Sequence, residues 1–415
     1  MDEEALKRIS SSIKKELATL SYTRPSNDTF PSDLKFYNLW DNDLCEYGER
    51  YLYWVLNRLD GTSVVDKFVM ALIGNTNLLE RASQFYHIEG RFRWDVFLRQ
   101  RLVESCFVIE LFRKYAMKEL REVDDPIFNR PQNLLVVQHY LISNDSFPFF
   151  VLVEFFNVTK NQDDPRDNFI DLVLLFFENL VGHPLKPSPN NPIQIDESKP
   201  LVDLVHKALS DPVAAEMSIT METDIEFHFI NYATELQEAG VKFKRMKGNN
   251  REIKFQNGVL EIPPIKVAKS TTLFLLQRLM EYEQGRWFPD SAPRYVNDYV
   301  KFIQCLINSP KDVELLRRSR IIENWLGNDQ LIFDELINLG NKSKISLNFT
   351  YSGIFKKVND HCGRRRNVWM ANLWRNYFNS PWSFISFLAA VELLLLTLTQ
   401  TVFSILSSHP SEVTL

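Results

Sequence analysis

Asp203 and His206 stand three residues apart in the stretch LVDLVHKAL, a spacing that sets both on one turn of a helix. A carboxylate so placed can orient an imidazole as a general base. No nucleophile is identifiable beside them, so the reading we favour is a helix cap and a satisfied core polar group. An enzyme with an unfamiliar helical active site around the pair is the alternative. Glu104 and Glu110 flank an apolar helical stretch at a separation that puts them on different faces, which argues against paired acid–base work. They are expected to be solvent-facing or salt-bridged. H-E-x-x-H, G-x-S-x-G, G-x-x-x-x-G-K-[ST] and G-x-G-x-x-G are absent, so the common metalloprotease, hydrolase and nucleotide signatures are missing. Cys45, Cys106, Cys305 and Cys362 are far apart and form no C-x-x-C pair. They read as free thiols, and neither a metal nor a cofactor is expected.

The elements that must carry these residues are mostly helical. At 415 residues and 45% hydrophobic, the chain can bury a sizeable core, and its aromatic share of 13% suits thick interfaces between helices. Its 13 glycines are too few for glycine-rich nucleotide folds and propellers. The net charge of −5, from 48 basic and 53 acidic residues, provides no global field for nucleic-acid phosphates. Nucleic acid is therefore not an expected partner.

An amphipathic stretch runs from the acidic N-terminus through Leu20. Between Asp95 and Leu120, apolar residues recur every three or four positions, which predicts a core helix. Leu134 to Phe156 is broken at Asn144-Asp145-Ser146 before Pro148, the pattern of two helices meeting at a turn. Phe169 to Leu180 reads as a buried helix, and His183 to Pro200, with five prolines, as a surface loop or linker. Leu201 to Leu209 resumes helical spacing. From Val241 to Ile262, short alternating runs split by Lys247-Gly248-Asn249-Asn250 and by Asn257-Gly258 predict a small β-meander, ended by Pro263-Pro264. Helical spacing returns over 271–283, 295–307 and 313–339.

Phe384 to Leu406 reads FISFLAAVELLLLTLTQTVFSIL, long enough at helical rise to cross roughly 30 Å of hydrocarbon. Glu392 lies well inside it, and a carboxylate there costs on the order of 2.5–3.5 kcal/mol on insertion scales. Leu393 to Leu396 offset that cost. Thr397, Thr399, Gln400 and Thr401 leave open the competing reading of a buried core helix. The flanks favour the membrane: Trp369, Trp374, Tyr377, Phe378 and Trp382 form an aromatic girdle, and Arg364, Arg365, Arg366 and Arg375 precede the span. No Lys or Arg follows it. The charge bias puts the large N-terminal portion on the cytoplasmic side, as in a single-pass tail anchor, and the sequons at Asn27, Asn157, Asn341 and Asn348 would stay unused. Lys356, Lys357, Arg364, Arg365 and Arg366 could meet anionic lipid headgroups at roughly 1 kcal/mol per charge. Glu392 and Gln400, eight residues apart, share a helix face that could join neighbouring spans into a homo-oligomer.

The stretches ATELQEAGVKFKR (Ala233 to Arg245), NGVLEIPPI (Asn257 to Ile265), YVNDYVKFIQCLINSPKDVELL (Tyr295 to Leu316) and IIENWLGND (Ile321 to Asp329) resemble the plant domain of unknown function 247 family, DUF247 or UPF0481-like. SCFVIELFRK (Ser105 to Lys114), PFFVL (Pro148 to Leu152), LVDLVHKAL (Leu201 to Leu209) and the C-terminal apolar run match as well. The family's N-terminal block has no counterpart between Tyr22 and Cys45. The resemblance implies a mainly α protein with a C-terminal anchor and no assigned activity. Some grass members are associated with pollen-side self-incompatibility, which suggests recognition or signalling at a membrane, the plasma membrane being favoured, with an unidentified protein partner. The organisation expected is a divergent segment over 1–45 and a helical family domain over 46–355. A basic and aromatic juxtamembrane segment over 356–383, the span over 384–406 and a tail over 407–415 complete it.

Overall fold

A computed structural model describes residues 3–17, 43–59, 61–74, 94–143, 149–181, 193, 196–217, 228–246, 253–267, 271–324, 327–346, 349–363 and 381–408. The chain is mainly helical there. α1 (Glu3–Leu17), α2 (Asp43–Arg58), α3 (Gly61–Gly74), α4 (Trp94–Ala116), α5 (Pro131–Ser143), α6 (Phe149–Thr159), α7 (Phe169–Val181) and α8 (Leu201–Met217) make up the first half. α4 is its axis, packing against α1, α2, α6 and α7. Every residue from Arg101 to Phe112 is buried, so this helix is enclosed on all sides rather than along one stripe. Aromatic rings fill the space around it: Phe107 meets Tyr51 of α2 edge-on at 5.0 Å, and Phe112 meets Phe176 of α7 at 4.9 Å. α1 joins through its apolar face, with Ile13 buried, while Ser10 and Lys14 bond Asp66 of α3 at 2.5 Å each.

The second half holds α9 (Ala233–Glu238), α10 (Thr271–Gln284), α11 (Tyr295–Cys305), α12 (Pro310–Arg318), α13 (Asp329–Asn341) and α14 (Ser352–Gly363). α10 ties the halves together, touching α5, α7 and α8 on one side and α11 and α13 on the other. Pro310 starts α12 at the position where a missing N–H costs nothing, and Asp312 reaches back to the Ser309 N–H at 2.9 Å. The other oxygen of Asp312 accepts from the N–H and hydroxyl of Thr234, fixing α9 to α12.

Strands form where alternation predicted them: β1 (Lys242–Arg245), β2 (Lys254–Gln256) and β3 (Val259–Ile262). Their order is β1-β3-β2, with β1 parallel and β2 antiparallel to β3, and this replaces the expected meander. Asn257 (φ 51) and Gly258 (φ 76) close a two-residue turn of the left-handed kind, which commits β2 and β3 to each other. β1 takes the free edge of β3. Phe243, Leu260 and Phe255 then stand side by side across the sheet. Beyond Pro263-Pro264, β4 (Ile265–Val267) pairs in parallel with β5 (Ile322–Asn324). That pairing interrupts the helical pattern expected over 313–339: Arg320 adopts φ 58, α12 stops at Arg318, and Ile321 and Ile322 turn inward as buried residues.

α15 (Pro381–Ser408) is a 28-residue helix. None of its apolar stretch Ile385–Ser404 is buried against the described residues, which removes the core-helix reading. It is long and apolar enough to cross a membrane. The Thr397, Thr399 and Thr401 hydroxyls bond back to the carbonyls of Leu393, Leu395 and Thr397 at 2.6, 2.7 and 2.5 Å. Threonines that look polar in sequence are thus satisfied by their own helix.

Candidate functional site

α8 begins at Leu201, just after Pro200, and presents Asp203, His206, Lys207 and Ser210 within two turns. α10 brings Tyr282 and Glu283 against them from its last turn. His206 Nε2 lies 2.7 Å from Glu283 Oε1, a partner 77 residues away in sequence. Asp203 turns elsewhere: Oδ1 accepts from the Tyr282 hydroxyl at 2.5 Å, and Lys207 Nζ lies 2.9 Å from Oδ2. Sequence spacing therefore placed both residues on one turn, but the structure gives them separate partners.

Glu283 is the hub. Its carboxylate accepts from the backbone N–H groups of Val296 and Asn297 at 2.9 Å each, and from the Asn297 side-chain amide at 2.7 Å. The two backbone groups belong to the first turn of α11, whose N–H groups have no acceptor within the helix, so an anion there is favoured by both hydrogen bonding and the helix dipole. Asn297 in turn accepts from Gln284 and from the Lys344 N–H, carrying the network to the end of α13. Rings of Tyr282 and Phe288 close on His206 at 5.5 and 5.2 Å.

Ser210 Oγ stands 3.3 Å from His206 Nε2, so Ser, His and Glu meet in one place. They do not form a nucleophile relay. Such a relay divides the two imidazole nitrogens between hydroxyl and carboxylate, whereas here both contacts fall on Nε2. A proton on Nε2 donated to Glu283 leaves no lone pair to receive the serine proton. Exposure is also too small for a substrate to enter, at 5% for His206 and Ser210 and 1% for Glu283. The arrangement clasps α8, α10 and α11 together.

Other buried charges build similar clasps that the sequence pattern did not reveal. Glu110 is salt-bridged, as one of the two expectations had it, but it is 1% exposed rather than solvent-facing: Arg58 and Arg113 reach it at 2.7 and 3.0 Å. Arg113 continues to Asp167 at 2.9 Å. Lys114 is 1% exposed, sits 4.0 and 3.9 Å from the ring centres of Tyr51 and Trp54, and bonds Asp125 and Glu122. Burial and the Asp125 carboxylate push the Tyr51 hydroxyl well above its ordinary range. Asp298 holds residues 346 and 350 through both of its oxygens, at 2.6–3.1 Å. The signal available in sequence was four charged residues, Glu104, Glu110, Arg113 and Lys114, within the apolar stretch Leu102 to Ala116 of one helix.

Glu104 differs from these. It is buried, pairs with Arg101 at 2.8 Å through Oε1, and its Oε2 meets no donor among the described residues. Burial pushes its carboxyl up to about 7 despite the arginine.

Among the described residues, no group of three or more His, Cys, Asp and Glu side chains could hold a metal ion. Cys106, Cys305 and Cys362 are free thiols. Glu392 and Gln400 are both exposed on α15. Arg364, Arg365, Arg366 and Arg375 lie outside the described residues, as does the side chain of Trp382.

Compared with known proteins, residues 43–396 match the model of DUF247, a plant protein family of unknown function. UPF0481 protein At3g47200 of Arabidopsis thaliana is 25% identical over 330 residues, 74% of this chain and 67% of the relative. Putative UPF0481 protein At3g02645 of the same plant is 30% identical over 182 residues, 42% of this chain and 33% of the relative. No solved structure matches. The match begins where α2 begins and runs through the fold into α15, so the chain belongs to the DUF247 family.

Proposed function

We propose that this protein is a membrane-anchored recognition or signalling module without catalytic activity, with α15 as a single span and the helical domain on the cytoplasmic side. The observation that carries the reading is the bare apolar surface of α15. Leu393, Leu394, Leu395 and Leu396 are each at least 60% exposed, and none of the described residues covers them. A run of this kind is stable in hydrocarbon and exposed to aggregation in water. Two further features support it. The His206 cluster has its hydrogen bonds spent on joining helices, and Lys356 and Lys357 stand exposed on α14, the helix that precedes the basic segment and the span. These lysines, with Arg364 to Arg366, would contact anionic headgroups on the cytoplasmic leaflet. A recognition role matches what the pollen-side association of some relatives suggests, and it favours the plasma membrane and an as yet unidentified protein partner.

Protease protection on microsomes, with tags at both ends, tests the topology. Digestion of the N-terminal tag with protection of the C-terminal tag is the expected result. Protection of the N-terminal tag together with glycosylation at Asn157 or Asn341 would reverse the orientation.

A further inference from the structure

We propose that α15 pairs with the same helix of a second copy of this chain, through the face that carries Glu392; the inference rests on the membrane reading above. The threonine hydroxyls of the span bond back to their own helix, so they require nothing from outside. No such bond joins the Glu392 carboxyl to a described residue, and the side chain is exposed. It sits about 10 Å along the apolar stretch from Ile385, too deep for a short acidic side chain to reach headgroup water easily.

A carboxyl group in hydrocarbon is stable when protonated and hydrogen-bonded, or when paired with a cation. No Lys, Arg or His occurs from Phe384 to Leu406, and α15 is the one such helix among the described residues, so these supply no cation at that depth. A protonated carboxyl is self-complementary, since its O–H donates and its C=O accepts. In a parallel pair of identical spans, symmetry brings the two Glu392 residues to one depth. Their neighbours on the helix surface suit such a contact. Ala389, three residues earlier, is small enough for close approach, Leu396 packs one turn later, and Thr399 and Gln400 follow at seven and eight residues. Gln400 adds an amide that donates and accepts across the pair.

The test uses the full chain carrying two different tags, co-expressed in membranes, solubilised in mild detergent and captured through one tag. Membrane retention after alkaline carbonate extraction is scored in parallel. The wild type and Glu392→Gln, which still donates and accepts, are expected to co-capture the second tag. Glu392→Leu is expected to lose at least about ten-fold in co-capture, about 1.4 kcal/mol, while staying in the membrane. Because none of this stretch is buried against the described residues, this variant leaves the helical domain intact. Unchanged co-capture by Glu392→Leu overturns the proposal, as does a wild type that is retained in the membrane but never co-captured. Recovery of a different spanning protein with a basic residue, in place of the second tag, also overturns it. A wild type released by carbonate overturns the membrane reading itself.

Discussion

Replacing Glu283 by alanine separates a structural clasp from a chemical one. The carboxylate is 1% exposed and takes four contacts: two backbone N–H groups of α11, the Asn297 amide and the imidazole of His206. Each buried donor left without an acceptor costs about 1–3 kcal/mol. The four contacts share one group and are not additive, so about 4 kcal/mol is expected in all. That is a large part of the roughly 5–15 kcal/mol by which a domain is stable. At roughly 2 °C per kcal/mol, the melting point of the detergent-solubilised chain should fall by about 8 °C. Tryptophan fluorescence on heating reads this directly, and hydrogen exchange at the Val296 and Asn297 amides gives a local check. Glu283→Gln keeps one acceptor and should lose about half as much. If Glu283→Ala melted within 1 °C of the wild type with those amides still protected, the clasp would be wrong and a catalytic role for the cluster would return.

Three further substitutions follow from individual sites. The Glu104 carboxyl is raised from 4.5 to about 7, so the folded state holds this proton more tightly than the unfolded chain. Its contribution is fully present below pH 4.5 and is lost as pH rises to 7, by up to about 3 kcal/mol. Glu104→Gln should therefore melt increasingly above the wild type between pH 5 and pH 8; a constant difference would contradict the shift. His139, stacked on Phe274 at 4.3 Å, is lowered by burial from 6.5 to about 4, so its proton is taken up by the unfolded chain first and stability falls as pH drops through that window. His139→Phe keeps a ring on Phe274 and should flatten the acid limb of the melting profile. A Cβ on Gly258 would stand 2.8 Å from the His361 ring at a backbone φ of 76°, so Gly258→Ala should cost about 1–3 kcal/mol. Combining it with His361→Ala should recover the part due to the clash, and strict additivity in that cycle would exclude the contact.

Local features of the fold were legible because they are written in neighbouring residues. Apolar recurrence from Asp95 announced α4, and Asn257-Gly258 announced the hairpin that joins β2 and β3. What sequence did not show are relations between distant residues. Charge in a helical pattern is normally read as surface, yet Glu110, Arg113 and Lys114 are buried because Arg58, Asp167 and Asp125 arrive from other segments to meet them. Glu283 drew no notice for the same reason, since its partners are 77, 13 and 14 residues away. The parallel pairing of β1 with β3 likewise depends on which edge the hairpin leaves free. In α15 the composition overstated polarity, because hydropathy counts a threonine hydroxyl without knowing that the carbonyl four residues earlier accepts it.

Alkaline carbonate extraction of membranes bearing the full chain tests the anchoring of α15 most directly. The wild type should remain wholly in the pellet. Leu394→Arg with Leu395→Arg, which adds roughly 6–8 kcal/mol to insertion, should move the chain to the supernatant. A wild-type chain released into the supernatant would contradict the account.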